Sequence, residues 1–277
     1  MGDSVVTFGT RHVKVWRIAA LASPRKGRSG IENGTVSSSP GPRTLSGRNC
    51  LLGSLLDAVF TVGIAISDTH AILGTSNGDV CLLDDGDKTQ SLEIIGRVSF
   101  PINCVHYDAA GGTVLIAGDR CAIESFAIHE ARAGGGLRLP REMSTGLPHK
   151  NIVAIGRIQA GYVLVDNHHV VDIWATVPSF DPENTKALFK RLPAHESAVL
   201  GVCVLDDWKG PGQVDFLTYS AHGTVLFWRA DGSCLSRIEI SLEQPGNSSM
   251  LNSNELKTLC PFESLGLLFA GDKTGVL

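Results

Sequence analysis

The seven cysteines of this sequence include no Cys-x-x-Cys pair; they stand singly between Cys50 and Cys260. That absence excludes a zinc ribbon and a dithiol redox motif, and an odd, scattered set points to a reduced, cytoplasmic protein. Basic residues are also in short supply. Lys and Arg number 24 against 28 Asp and Glu, a formal charge of −4, which argues against a nucleic acid or an anionic membrane surface as partner. Long apolar runs are missing too. The most apolar window, 50–66, is interrupted by Asp57 and falls short of the ~20 residues a membrane-spanning helix needs, so it is read as buried core. No secretory leader opens the chain, and the sixth residue is Val where a myristoylation signal has Ser or Thr. The sequons Asn33-Gly-Thr and Asn247-Ser-Ser are accordingly read as chance matches.

What the sequence does hold is a phrase of about fifteen residues, repeated along its whole length. Its clearest copy, at 214–228, reads VDFLTYSAHGTVLFW: an alternating apolar stretch, a small-residue turn, and a second alternating stretch closed by an aromatic. Weaker copies lie at 5–18, 71–85, 114–128 and 161–176, and another begins at 267. Alternation of β-branched and aromatic residues around a turn marks a β-hairpin. A further apolar run precedes each hairpin, at 58–66, 102–107, 152–158, 199–205 and 256–262, and a shorter fourth strand is expected after each closing aromatic.

The closing positions are Trp16, Leu83, Phe126, Trp174 and Trp228, separated by 67, 43, 48 and 54 residues. A four-stranded propeller blade repeats every ~40–45 residues, so the later spacings fit with modest loops. The long first spacing contains a tract at 19–48 rich in Ser, Pro and Gly and carrying Arg25, Lys26, Arg28, Arg43 and Arg48. With almost no bulky apolar residue it cannot offset the entropy of ordering, and it is read as a disordered basic insertion. Smaller polar insertions fall at 131–148 and 243–254, and 181–191 suits one or two helical turns with Asp181 as N-cap. The expected fold is all-β: a propeller of four-stranded antiparallel blades over 1–277, with about five blades and partial blades at both ends. Such a set forms an incomplete ring, as expected for part of a longer protein, because an open sheet edge exposes unpaired backbone groups.

These residues resemble the WD-repeat β-propeller family. The resemblance rests on Trp16, Trp174 and Trp228 at the strand ends, His-Gly-Thr-Val at 222–225, and His149 and His195 opening their blades. It implies a buried hydrogen-bond network of a blade-entrance His, a Ser or Thr, a turn Asp and the Trp. Six residues before each closing position stand Thr10, Asn77, Arg120, His168 and His222, so the turn Asp is missing from every copy and the network is degenerate. The first copy also resembles blades of the echinoderm microtubule-associated-protein-like group and related cilia-associated WD-repeat proteins. Gly9, His12, Val13, Lys14, Val15 and Trp16 carry that likeness, which implies a cytoskeletal adaptor binding tubulin or microtubules.

Motifs with chemical potential have simpler readings. Gly74-Thr-Ser76-Asn-Gly78 matches a hydrolase nucleophile elbow, but a strand follows where that motif requires a helix, so it reads as a turn. His168 and His169 are adjacent, and alternation along a strand sends neighbours to opposite faces, against a shared metal. Asp84-Asp85-Gly86-Asp87 resembles part of a calcium loop but has Ile95 where the closing Glu belongs, and reads as a solvated turn. No catalytic, cofactor-binding or metal-binding residue is assigned, and no cofactor or small-molecule substrate is expected.

The expected function is a non-catalytic protein–protein interaction scaffold. Its candidate contact points are the turns at 10–12, 77–79, 167–169 and 222–223, Arg120 and the basic insertion. Ser23-Pro24 and Ser39-Pro40 in that insertion suit a proline-directed kinase, whose phosphate would offset the local positive charge. The alternative is a propeller enzyme with acid–base or metal groups at a central channel, which predicts recurring Asp, Glu or His at inner-strand ends; the sequence shows no such recurrence.

Overall fold

Each copy of the phrase folds as two adjacent antiparallel strands, because side chains of period two can then place one apolar row on each face of a sheet. In the computed structural model, residues 4–17, 46–86, 90–109, 111–119, 122–128, 151–159, 161–175, 188–192, 195–241 and 255–273 are described. They form six antiparallel sheets with strands in chain order. Sheet 1 holds β1 (Ser4–Gly9), β2 (His12–Arg17) and β3 (Ser46–Asn49); sheet 2 holds β4 (Phe60–Ala65), β5 (His70–Thr75), β6 (Asp79–Asp85) and β7 (Gln90–Arg97). Sheet 3 holds β8 (Ile102–Asp108), β9 (Thr113–Gly118) and β10 (Ile123–Ala127). Sheet 4 holds β11 (Ile152–Ile158), β12 (Gly161–Asp166), β13 (Val171–Trp174) and β14 (Leu188–Leu192). Sheet 5 holds β15 (Val199–Val204), β16 (Phe216–Ser220), β17 (Thr224–Trp228) and β18 (Cys234–Glu239), and sheet 6 holds β19 (Leu256–Phe262) and β20 (Leu267–Asp272).

Register makes the repeats superposable residue by residue. The closing residue of each phrase pairs with the start of its hairpin: Val5 with Trp16, Ala71 with Leu83, Val114 with Phe126, Tyr162 with Trp174 and Phe216 with Trp228. The strand before each hairpin carries a bulge one residue from its start, at Phe60/Val62, Ile102/Cys104, Ile152/Ala154, Val199/Gly201 and Leu256/Thr258. A bulge adds local twist, and its recurrence at one position gives sheets 2 to 6 the same curl.

Consecutive sheets pack face to face. Val13 and Val15 of sheet 1 meet Leu73 and Leu83 of sheet 2, and Ile72 and Val80 of sheet 2 meet Val114 and Ile116 of sheet 3. Leu115 and Ile123 meet Leu164 and Trp174, Val163 and Ile173 meet Phe216 and Trp228, and Leu217 and Phe227 meet Leu259. The strands β4, β8, β11, β15 and β19 touch one another in series. The core is thus a chain of inter-sheet layers, each depending on its two neighbours.

Three expectations need correction. Residues 46–48, assigned to the disordered insertion, belong to β3, which pairs along the outer edge of β2 from Lys14 to Arg17. Gly47 permits this: a Cβ there would sit 2.6 Å from the Trp16 ring. The remainder of the insertion before residue 46 lies outside the described residues. Of the 181–191 segment, 188–191 form part of strand β14 rather than helical turns, because pairing with β13 satisfies backbone groups along that edge; 181–187 lie outside the described residues. Asp84 and Asp85 end strand β6 instead of forming a solvated turn, and Asp85 is buried, accepting from Gln90 Nε2 at 3.1 Å and facing Arg17 Nη2 at 3.4 Å.

Candidate interaction face

The turns between the second and third strands of the repeats emerge at one end of the sheets, each tied by backbone hydrogen bonds to a neighbouring loop. Thr10 forms a β-bridge with Val59, and Arg11, with φ of 55°, donates its amide to Ala58 O at 2.9 Å. Ser76 donates its amide to Val59 O at 2.9 Å, and Gly78, with φ of 84°, receives the Val98 amide at 2.9 Å. The Gly74-to-Gly78 motif is therefore a strand–turn–strand hairpin, closed by the Asp79 amide donating to Thr75 Oγ1 at 2.9 Å. At 167–169, Asp166 Oδ1 accepts from the amides of His168 at 2.8 Å and Val170 at 3.1 Å. This bracing holds His169 at φ of 65°, where its Nδ1 accepts the Val199 amide of sheet 5 at 3.3 Å. At 221–223, Ala221 donates to Ala198 O at 2.8 Å, and its own carbonyl receives the Leu256 amide of sheet 6.

Between sheets 1 and 2 the loop from 50 to 59 lies on the same end. Cys50, Leu55, Ala58 and Phe60 turn inward, whereas Leu51 is 88% exposed and Leu56 55%. The reading of 50–66 as uniformly buried is thus corrected. A 3-10 turn at Gly53–Leu55 points successive side chains about a third of a turn apart, so the apolar residues on and beside it cannot all face one core. Arg11 braces the loop, donating from Nε to Leu56 O at 3.2 Å and lying 3.5 Å from Asp57. The sequence signal for this site was present, two Leu within a short loop, but hydropathy alone assigned them inward.

Beneath the turns sheet 5 builds a buried polar chain. His195 Nε2 is hydrogen-bonded to Thr218 Oγ1 at 2.7 Å, and Trp228 Nε1 donates to the same oxygen at 2.9 Å. His195 Nδ1 is buried with no hydrogen-bond partner, as follows from having His222 at the turn position where a carboxylate would accept from it. Sheet 1 repeats the Trp–Thr half, with Trp16 Nε1 donating to Thr7 Oγ1 at 3.0 Å. By register the Thr218 position is Leu73, Ile116 and Leu164 in sheets 2, 3 and 4, so those sheets offer no hydroxyl there. Buried carboxylates meet exposed guanidiniums instead: Asp79 with Arg97, Asp108 with Arg157, and Asp172 with Arg191. These pairs escaped sequence reading because their members lie 18 to 49 residues apart.

No protein-family model matches the sequence, and no curated relative is detected. Solved structures do match. The WD40 β-propeller domain of Doa1 aligns with a TM-score of 0.53 and 15% identity over 78% of this chain and 62% of that one. A chain of the mitotic checkpoint complex aligns with a TM-score of 0.50 and 15% identity over 85% of this chain and 62% of that one. The fold is a WD40-type β-propeller. Each sheet is a blade, and this chain spans less than two thirds of either matched chain.

Within the propeller, the expected contact points at 10–12, 77–79, 167–169 and 222–223 fall on one face, joined there by Leu51 and Leu56. His149, Arg120, Ser23 and Ser39 lie outside the described residues. His195 is the blade-entrance group expected of it, and His168 and His169 serve turn geometry. Burial pushes the thiols of Cys50, Cys81 and Cys203 up to about 11, 12 and 12, so they behave as small apolar groups.

Two imidazoles give the propeller a measurable pH dependence. Burial, with Arg157 adding to it, lowers His106 to about 4. Burial, with Arg237 adding to it, lowers His195 to about 4. Both are neutral when folded but protonate near 6.5 when unfolded. Between those values the unfolded chain binds more protons, so stability is intact above pH 6.5 and is lost as pH falls toward 4. The loss at His195 alone is expected to reach roughly 3 kcal/mol. Urea midpoints measured from pH 7.5 down to 4 will fall through this window, whereas a flat profile would contradict the burial of both rings.

Proposed function

We propose that this chain is a non-catalytic interaction scaffold that captures partner proteins on the turn face of its propeller, in the cytoplasm, with tubulin or microtubules as the partner. The observation that carries the reading is the loop at 50–59. It holds two exposed Leu side chains on a backbone pinned by Arg11 and by the Thr10–Val59 bridge. Apolar groups fixed in water by a rigid frame lose little entropy when a partner covers them. Arg11 and Asp57 at the rim supply charge for orientation. Six unpaired cysteines among the described residues suit a reducing compartment. The microtubule assignment rests on the resemblance of Gly9, His12, Lys14 and Trp16 to a phrase of cytoskeletal propellers, and these residues lie on the β1–β2 hairpin next to this loop.

Co-sedimentation of the chain with polymerised tubulin tests the proposal. Saturable pelleting is expected, weakened about ten-fold or more by Leu56→Asp, as for loss of a central apolar anchor. Pelleting no greater than without polymer rejects microtubules as the partner. Hydrolase turnover by the purified chain would reject the non-catalytic reading.

A further inference from the structure

In sheets 2 to 6 the strand before the hairpin has one position paired with Ile72, Leu115, Val163, Leu217 or Phe269. It is filled by Ile64, His106, Gly156, Cys203 and Cys260, so sheet 3 alone places there a group that gains a proton below neutrality. His106 uses that position to reach the next sheet. Its Nε2 accepts the Arg157 backbone amide of β11 at 3.1 Å. An accepting Nε2 must keep its lone pair, so Nδ1 carries the proton and the ring is neutral.

Arg157 is held on sheet 3 a second time. Its guanidinium pairs with the buried Asp108 carboxylate and lies over the Tyr162 ring, 5.9 Å from the centroid. The charged groups that face His106 from other sheets are Arg157 of β11 and Asp206 in the loop after β15. On its own strand, Asp108 is taken up by Arg157. A proton on Nε2 turns the acceptor into a donor aimed at another donor, beside a guanidinium. Among the described residues Asp206 is the carboxylate left to receive it. Elsewhere the junction is apolar, with Cys104, Leu115 and Ile123 against Ile152, Leu164 and Trp174, so losing the bond frees only the end of β11.

We propose that His106 is a proton-operated latch between sheets 3 and 4. Neutral, it holds the Arg157 amide; protonated from solvent, it releases that amide, donates to Asp206 and lets the end of β11 open. Burial, with the Arg157 charge adding to it, keeps the imidazole at about 4 while the bond is made, against about 6.5 once the ring is freed. A base whose value is depressed in the closed form binds its proton on opening, so the latch is shut above pH 6.5 and opens as pH falls toward 4.

Amide hydrogen exchange on the full chain, resolved by NMR and corrected for its intrinsic pH dependence, tests this. Relative to pH 7.5, protection of the Arg157 amide should fall about 50-fold or more by pH 4.5, the ratio set by those two values. His106→Gln offers an uncharged acceptor and should keep protection level across the range, with His106→Asn in its place if it does not fold. Asp206→Asn should shift the release to lower pH. Level protection in the wild type overturns the proposal, as does an equal fall in the Gln variant or an unshifted release in Asp206→Asn. An equal fall at the amides of β5 and β16 overturns it too, because the whole propeller would then be unfolding. In the wild type at pH 7.5 the ring nitrogen shifts should report a proton on Nδ1; the other tautomer or a charged ring contradicts the latch.

Discussion

Replacing Trp228 by Ala is expected to lower the unfolding free energy by about 4 kcal/mol, the usual cost of deleting a large aromatic from a packed core. The ring is 1% exposed, nearly parallel to Phe216 at 6.2 Å between centroids, and seated among Val163, Val165 and Ile173 of sheet 4. Deleting it leaves a cavity at an inter-blade junction and removes the donor that Thr218 Oγ1 accepts, loosening the bond to His195 as well. At ~2–4 °C per kcal/mol for a chain of this size, the melting temperature should fall by roughly 10 °C, read by far-UV circular dichroism. Trp16→Ala supplies the control. Trp16 holds the same register position and makes the same bond to a Thr, but its ring is on an uncovered face, so its loss should cost about 1 kcal/mol. Equal costs for the two variants would show that position in the repeat, rather than burial by the neighbouring blade, sets the penalty.

Gly161→Ala should be nearly as damaging, at about 4 kcal/mol, although it adds a single methyl group. Gly161 opens β12 at φ of 138°, a conformation that L side chains rarely adopt, which by itself costs ~1–3 kcal/mol. A Cβ there would also overlap the Trp174 carbonyl oxygen and approach Ala175 Cα to 2.9 Å. Both obstacles are backbone of the paired strand, which cannot rotate away as a side chain can, so overpacking adds a similar amount. Gly9→Ala makes the comparison sharp: nothing lies within 4 Å of a Cβ at Gly9 and its φ is ordinary, so stability should stay within ~0.5 kcal/mol of wild type. Urea denaturation of the two variants side by side decides the point, and a mild Gly161 variant would mean that β12 and β13 can separate without loss of the blade.

Much of the fold is legible in the sequence because a strand's signal is local. The alternation in 214–228 requires no knowledge of the rest of the chain, and the register pairs Phe216–Trp228 and Tyr162–Trp174 set the ends of the hairpins where the sequence places them. The fourth strands were expected but placed poorly. Locally, 188–191 look like part of helical turns and 46–48 like insertion, since an outer edge strand is short, polar and specified mainly by the partner it pairs with. The contact face was half legible. Turn positions followed from the repeat, whereas Leu51 and Leu56 were assigned inward, because hydropathy records apolar character and not which side of a 3-10 turn a residue leaves.

By itself the sequence determined the number, order and length of the hairpins, because each copy carries its own period and its own turn. It also determined that the sheet 5 network would lack a turn carboxylate, since His222 occupies that position. Tertiary structure alone decided which copies matter most to stability. Trp16 and Trp228 share one local pattern, and the difference between them is a neighbouring sheet, present against one and absent from the other. It likewise decided the pairing of Asp108 with Arg157 and of Asp172 with Arg191. Ion-pair partners are chosen by distance in space, and separation along the chain carries no record of that distance until the blades have stacked.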